Sequence, residues 1–325
     1  MTSDPSQARV AVAIVNYGAA ELIAGALPAL LKEFDAFGYA VVFIVDNLSP
    51  GDDADRLEAH LARIGDPRAQ LIRSERNGGY SAGNNIAIKA MERLPWVPDV
   101  ALLLNPDAEM IPGALVEMNR LLASNPKIGA VGARIRRPEG GGISAAFRFA
   151  TPMIEFSNAT GIGLFANRWP VMEPDMIEPQ PVDWVTGAAL LIRWEALEQI
   201  GGLDEGYFLY YDEIDFLLKM TRAGWEVWHD PQAEVLHSAG ASTGISGGMP
   251  RTGRMPDYWF DSWNRYFEKN HGWFYARRAA AAKVAGLVLG QLQRRLRGKE
   301  SQIAPGFIGE FARRCLLRRP GKGAA

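Results

Sequence analysis

Cysteine is nearly missing from this chain. Cys315 is the single one among 325 residues, which excludes an intrachain disulfide and a thiolate metal cluster and fits a reducing compartment. Long apolar runs are missing as well. Residues 279–292 form the longest apolar stretch near the C-terminus, but they include Lys283 and fall short of the roughly 20 residues a membrane span requires. Residues 1–9 carry Asp4 and Pro5 and lead into an apolar run far shorter than a signal-peptide core. The expectation is a cytoplasmic protein, soluble or peripherally bound on the cytoplasmic face of the inner membrane. An excess of one charge is absent only on average. The formal net charge is −2, yet residues 272–325 hold twelve Lys or Arg against Glu300 and Glu310, which leaves the preceding body acidic. A basic tail on an acidic body suits an anionic surface, either headgroups or nucleic acid, or else a solvated helix face. The sequence also lacks an internal repeat and a G-x-G-x-x-G fingerprint, since Gly78, Gly79 and Gly83 have the wrong spacing and lie in the third crossover rather than the first.

What is present is organised around Ala101-Leu102-Leu103-Leu104-Asn105-Pro106-Asp107-Ala108-Glu109. Its apolar half shows no polar alternation, which reads as a short strand buried on both faces of a parallel sheet. Pro106 cannot donate to a ladder, so the chain leaves the sheet there and holds Asn105 and Asp107 at the strand's carboxyl end, where open α/β sheets bind ligands. An oxygen pair at that edge suits a hard cation carrying a diphosphate, or a solvated turn ending in a helix cap. Residues 10–15, 41–45 and 69–73 read as further strands, with helical spacing over 19–34, 53–64 and 86–93. Strands alternating with helices predict a largely parallel, doubly wound sheet. A helix opened by Pro112 and a strand over 128–135 follow, and residues 137–181, rich in Gly, Pro and Asn, read as long loops or a hairpin. Then come a strand at 190–193, helices over 194–200 and 212–223, two short strands around Asp230-Pro231, a glycine-rich segment 244–253, and helices across most of 257–297.

Four groups of residues are fit to carry chemistry. Asp46 and Asn47 end the second strand at the same edge as Asn16 and Asp107; a carboxylate there accepts from a nucleobase imide or ribose hydroxyl, or starts the Ser49-Pro50-Gly51 turn. The stretch 77–85 can place backbone N–H groups near phosphate, or is a plain tight turn. Asp212, Glu213 and Asp215 form the densest acidic cluster, with Tyr210 and Tyr211 beside it. Desolvation by those rings raises a carboxylate pKa, as a general base requires, although acids also favour helix N-termini through the macrodipole. His237 ends a β-like segment before Ser238-Ala239-Gly240 and is either a metal ligand or a structural donor.

Taken in order, Val15-Asn16-Tyr17, Val45-Asp46-Asn47, Asn77-Gly78-Gly79-Tyr80-Ser81-Ala82-Gly83-Asn84, Asn105-Pro106-Asp107, Thr186-Gly187-Ala188, the acidic cluster after Tyr210 and His237-Ser238-Ala239-Gly240 resemble family 2 glycosyltransferases of the GT-A fold. The rhamnosyltransferase-like branch, which builds cell-surface and cell-wall polysaccharides, is the nearer likeness. The resemblance implies an α/β fold with a mostly parallel central sheet flanked by helices. Residues 1–242 would form the transferase domain, 8–110 its nucleotide-sugar-binding half and 111–242 its acceptor and catalytic half, with 243–325 a helical extension. It implies inverting, metal-dependent transfer of a sugar such as rhamnose. The donor would be a dTDP- or UDP-linked sugar and the acceptor a saccharide or lipid-linked saccharide.

By the same resemblance Asp46 holds the base, and Asn16, Tyr17, Asn47, Asn77, Gly79 and Asn84 surround the nucleoside diphosphate. Asp107 matches the metal-binding acid of the D-x-D motif, whose first Asp is replaced here by Asn105. With His237, matching the C-terminal metal-site histidine, these would hold Mg²⁺ or Mn²⁺. Gly187 and Ala188 let the sugar lie against the backbone, and Trp184 and Asp215 are expected on the acceptor side. Glu213 matches the second acid of the family's E-D or D-D pair, the general base. The order Asp212-Glu213 leaves both as candidates, with Glu213 favoured.

Two other classes compete. A sugar nucleotidyltransferase would share the sheet but needs a Gly-rich Arg/Lys triphosphate loop near the first strand, which is not there. A non-catalytic sugar-nucleotide or glycan-binding module would keep Asp46 and Asp107 and tolerate loss of Glu213. Residues 274–296 are expected to form a helix with Arg277, Arg278, Lys283, Arg294 and Arg295 around an apolar face, suited to anionic lipid or to packing on the body or a second subunit of a homo-oligomer. No nucleic-acid partner is expected.

Overall fold

Residues 10–15 have no polar position, so both faces need cover. In a computed structural model of the chain they form the middle of β1 (Arg9–Asn16), buried from Val10 to its end. The structure describes residues 4–143, 145–172, 176–237, 245–246, 249–250, 254–301 and 303–319. Ser238-Ala239-Gly240 and most of the glycine-rich segment 244–253 lie outside these. From β1 the chain runs through α1 (Ala20–Glu33), β2 (Tyr39–Asp46), α2 (Asp53–Ile64), β3 (Ala69–Arg73), α3 (Gly79–Met91) and β4 (Val100–Leu104). It continues through β5 (Ala108–Met110), α4 (Ala114–Ser124) and β6 (Ile128–Arg136). Next come β7 (Gly142–Ile143), β8 (Ala146–Phe147), α5 (Pro152–Thr160), α6 (Gly163–Arg168), β9 (Gln180–Val182) and β10 (Trp184–Val185). The body closes with β11 (Ala189–Arg193), α7 (Trp194–Ile200), α8 (Asp212–Arg222) and β12 (Glu226–His237), followed by α9 (Asp257–His271), α10 (Trp273–Leu296) and α11 (Phe307–Phe311).

The central sheet has the order β3-β2-β1-β4-β11-β6-β12-β5. The first four strands are mutually parallel, and β11 runs against both β4 and β6. Leu27, Leu57 and Met118 from α1, α2 and α4 cover one face, and Met91, Leu197 and Phe216 from α3, α7 and α8 cover the other. A third cluster built on Trp263, Tyr266, Phe267 and Phe311 joins the C-terminal helices to Tyr207 and Ile214.

Four local expectations are corrected. The glycine-rich stretch 77–85 is not a loop, because α3 already starts at Gly79. Its glycines serve close packing: a Cβ on Gly83 would lie 2.6 Å from Val15 Cγ1 on β1. The expected loop region 137–181 contains α5 and α6, with Thr151 Oγ1 capping α5 by accepting from the Ile154 N–H. The two strands expected around Asp230 are one strand, β12, with a register shift between Asp230 and Glu234.

The basic helix α10 is the fourth. Gly286 and Gly290 let it lie against α5 so closely that a Cβ would meet Phe156 O at 2.4 Å and Thr160 O at 2.5 Å. Two of its five expected lipid-facing cations therefore point inward: Arg277 bonds Asn264 and Glu268, and Lys283 bonds Glu155. No helix among the described residues is long and apolar enough to cross a membrane.

Candidate active site

Strand register gathers the polar strand ends. Asn16 pairs with Asp46 and Ile14 with Leu104, so the carboxyl ends of β1, β2 and β4 finish at one edge. The Asn105 N–H donates to Ala188 O at 3.0 Å, bringing the Thr186-Gly187-Ala188 segment beside the end of β4. The antiparallel pair of β5 and β12 sets Ala108 opposite His237, next to Asp107. A cleft of about 540 Å³ opens along this edge.

One wall of the cleft is a cation-ligand set in its composition. Asp107 Oδ1 is 3.1 Å from His237 Nε2, which is also 3.2 Å from Asn105 Nδ2. Asp107 Oδ2 is buried and has no hydrogen-bond partner, a state that costs about 1–3 kcal/mol unless something meets it. Carboxylate, imidazole and an amide that presents oxygen when rotated suit a divalent cation. No group of three His, Cys, Asp or Glu converges among the described residues, so most coordination positions would fall to a ligand and water. Neither Lys nor Arg lines this cleft.

The opposite wall carries the two acids, at the start of α8. Tyr210 and Tyr211 both have left-handed backbone, φ 66° and 64°, a conformation that costs non-glycine residues about 1–3 kcal/mol each and persists only where packing imposes it. The packing comes from α9: Tyr258 stacks on Tyr210, Trp259 and Tyr266 contact Tyr211, and Ser262 Oγ donates to Leu209 O. This bend buries Asp212 and leaves Glu213 half-buried on the cleft, where the space next to Gly187 faces Glu213 Cβ and the Tyr80 hydroxyl.

Burial first, and the neighbouring Glu213 second, raise the Asp212 pKa well above the usual carboxylate range. Between its unfolded value near about 3.9 and the raised native value, the native state holds the extra proton, so stability falls as pH rises through that window. The loss approaches about 1.4 kcal/mol per pH unit at its steepest. Asp212→Asn is expected to flatten this slope, read as urea midpoints between pH 4 and 8; an unchanged slope would put the titration elsewhere.

Ten residues expected at the site line the cleft. Tyr17, Asn47, Asn77 and Gly79 lie on the β1 to α3 side, Asn105, Gly187, Ala188 and His237 across the middle, and Asp212 and Glu213 opposite. Others do not line it. Asn16 is fully buried and spent on structure, its amide donating to Asp46 and Asp53 while its oxygen accepts from Ala19 N–H. Asp46 is buried behind the edge and takes that amide and the Ser49 N–H. The Asn84 amide donates to Tyr80 O within α3. Asp215 is turned away from the acceptor side: it accepts from Tyr207 Oη, Lys269 Nζ and Asn270 Nδ2, anchoring α8 to α9. Asp107 stands just behind the lining, and Trp184 lines a neighbouring cavity. Phe208 and Tyr258 line the cleft and were not expected there. Tyr258 belongs to the helical extension, whose amphipathic pattern gives no sign of which ring reaches the sheet edge.

A mostly parallel sheet with acids and a histidine at its carboxyl edge and C-terminal helices across it defines a GT-A glycosyltransferase fold. A solved structure, GalNAc-T7 with UDP, GalNAc and Mn²⁺, shares that fold with a TM-score of 0.62 at 14% identity, over 95% of this chain and 57% of that one. Residues 7–247 match the family described as Glycosyltransferase like family 2, and the chain belongs to it. Similar proteins include the N-acetylglucosaminyl-diphospho-decaprenol L-rhamnosyltransferase of Mycobacterium tuberculosis (strain ATCC 25618 / H37Rv), 33% identical over 55% of this chain and 61% of that protein. Rhamnosyltransferase WbbL of Escherichia coli (strain K12) is 24% identical over 50% of this chain and 61% of its own length. These two put the chain with the rhamnosyltransferase-like branch. The chain spans 61% of the length of each of these two relatives.

Proposed function

We propose that the protein transfers a sugar, rhamnose by analogy with its relatives, from a nucleoside diphosphate sugar to a saccharide or lipid-linked saccharide acceptor, with inversion. The observation that carries this reading is the position of Glu213, half-buried at a cleft whose far wall holds Asp107, Asn105 and His237. Glu213 takes the proton from the attacking acceptor hydroxyl. The new bond forms from that oxygen to the anomeric carbon while the bond to the diphosphate breaks, and the nucleoside diphosphate leaves with the electron pair. One base and no enzyme nucleophile suffice for inversion. Asp107, His237 and Asn105 are the residues to hold Mg²⁺ or Mn²⁺, which would neutralise the diphosphate charge that no Lys or Arg in the cleft can meet. Asp212 holds its proton and so leaves Glu213 as the sole anion facing the hydroxyl. Tyr17, Asn47 and Asn77 line the end for the nucleoside.

Thermal stability with dTDP, UDP and GDP, each with and without Mn²⁺, tests this. One nucleoside diphosphate at about a hundred times its dissociation constant is expected to add about 2.7 kcal/mol, only with metal present. Stabilisation by none of them sinks the donor-site reading.

A further inference from the structure

A second cavity, of about 390 Å³, lies between α5, α8 and α10 and meets the first at Tyr210 and Glu213, which line both. Its chemistry is the reverse of the donor cleft's. Arg148, Lys283 and Arg294 bring three cations to a wall whose carboxylates are Glu155 and Glu213, and the rest is largely apolar, with Trp184, Trp259, Leu287 and Phe307. Lys283 is the most enclosed of the cations. Its side chain is 12% exposed, its ammonium lies 2.7 Å from Glu155 Oε2, and it stands 5.5 Å from the ring centre of Trp259. Trp259 in turn touches Tyr211 beside the acids. Arg294 follows on the same helix, about 16 Å further along. Next to this wall, Val288, Leu292 and Leu296 of α10 form an apolar stripe 52%, 53% and 80% exposed.

A neutral saccharide needs no cations, and a cation is costly to hold among aromatic rings unless an anion shares the site. We propose that this cavity takes the acceptor by a phosphate group. The acceptor hydroxyl meets Glu213, the phosphate is met by Lys283, Arg294 and Arg148, and a lipid chain esterified to that phosphate lies along Val288, Leu292 and Leu296. This rests on the transferase reading above and adds the acceptor class. The residues concerned on α10 lie beyond the family-matched residues 7–247, so they are a feature of this chain's extension.

Tryptophan fluorescence tests it, because Trp184 and Trp259 report from inside the cavity. The probes are decyl phosphate, decyl glucoside and methyl phosphate. Decyl phosphate is expected to bind at least about tenfold more tightly than either of the others, the charge-assisted contacts separating it from the glucoside and the chain separating it from methyl phosphate. Two variants remove the cations without stranding a charge: Lys283→Gln combined with Glu155→Gln, and Arg294→Gln. Each is expected to lower decyl phosphate affinity toward that of the glucoside while glucoside binding stays unchanged. Equal affinities for phosphate and glucoside in the unsubstituted protein, or a preference that survives in both variants, overturns the proposal. Methyl phosphate binding as tightly as decyl phosphate overturns its lipid part. Failure here leaves nucleotide stabilisation intact, whereas failure of the transferase reading abolishes that stabilisation and does not touch these titrations.

Discussion

Glu213→Gln is expected to lower kcat by about 100- to 10,000-fold, the range that general-base catalysis supplies, with donor affinity unchanged. The amide keeps the shape of the side chain and cannot take the acceptor proton. Because Glu213 is half-buried at the rim of two cavities rather than paired in a core, the fold should tolerate the change. Turnover at saturating donor, measured beside nucleoside diphosphate binding, separates the outcomes. Full activity in the variant would hand the base role to Asp212. Collapse of both turnover and nucleotide binding would assign Glu213 to structure instead. A non-catalytic binding module would lose nothing, which is the plainest contrast between the two classes of function.

The largest effect on stability is expected from Gly79→Ala. Gly79 has φ +83°, and a Cβ there would lie 2.1 Å from Phe208 O, the same carbonyl that accepts from the Tyr80 N–H at 2.8 Å. Backbone strain and the clash together should cost about 2–4 kcal/mol, as two effects that no rotamer change can relieve. The residue also ties three parts of the site together. Its N–H donates to Asn77 Oδ1, its carbonyl accepts from Asn47 Nδ2, and the 207–211 segment lies against it. A loss of donor binding larger than the stability change accounts for is therefore expected alongside the shift in urea midpoint. An alanine variant as stable as the original protein would mean that Phe208 can move away, and that the segment leading into the acids is not fixed by α3.

Sequence alone determined much of the donor half, for a local reason. An apolar run that stops on Asn105-Pro106-Asp107 has to be a strand ending at a sheet edge, and Asp46-Asn47 ends its run in the same way. In a parallel sheet such ends share one edge, so these residues were brought together by strand polarity before any packing was known. The observed register of Asn16 with Asp46 and of Ile14 with Leu104 is that arrangement. The acids at 212 and 213 were legible by composition, since a dense acidic cluster behind a run of aromatics is uncommon.

Which way each side chain faces was decided by tertiary contacts. Asn16 and Asp46 sit at the edge but spend their polar atoms on each other and on Ser49 and Asp53. Asp215 is only two residues from Glu213, yet a turn of 100° per residue carries it to the opposite side of α8, onto Lys269 and Asn270. Helix periodicity predicts that the two differ, but not which one meets the ligand. That depends on the left-handed tyrosines at 210 and 211, which set the phase of the helix and are held by α9.

The same holds for the basic helix α10. Its charge pattern read as one face for lipid, and the glycines at 286 and 290 instead press it onto α5, turning Lys283 toward Glu155 and the second cavity. Local pattern fixes which segments are strands and helices and which ends of strands meet. Contacts between segments far apart in the chain, where conformational strain is offset by packing, fix which of the candidate groups point at the ligand.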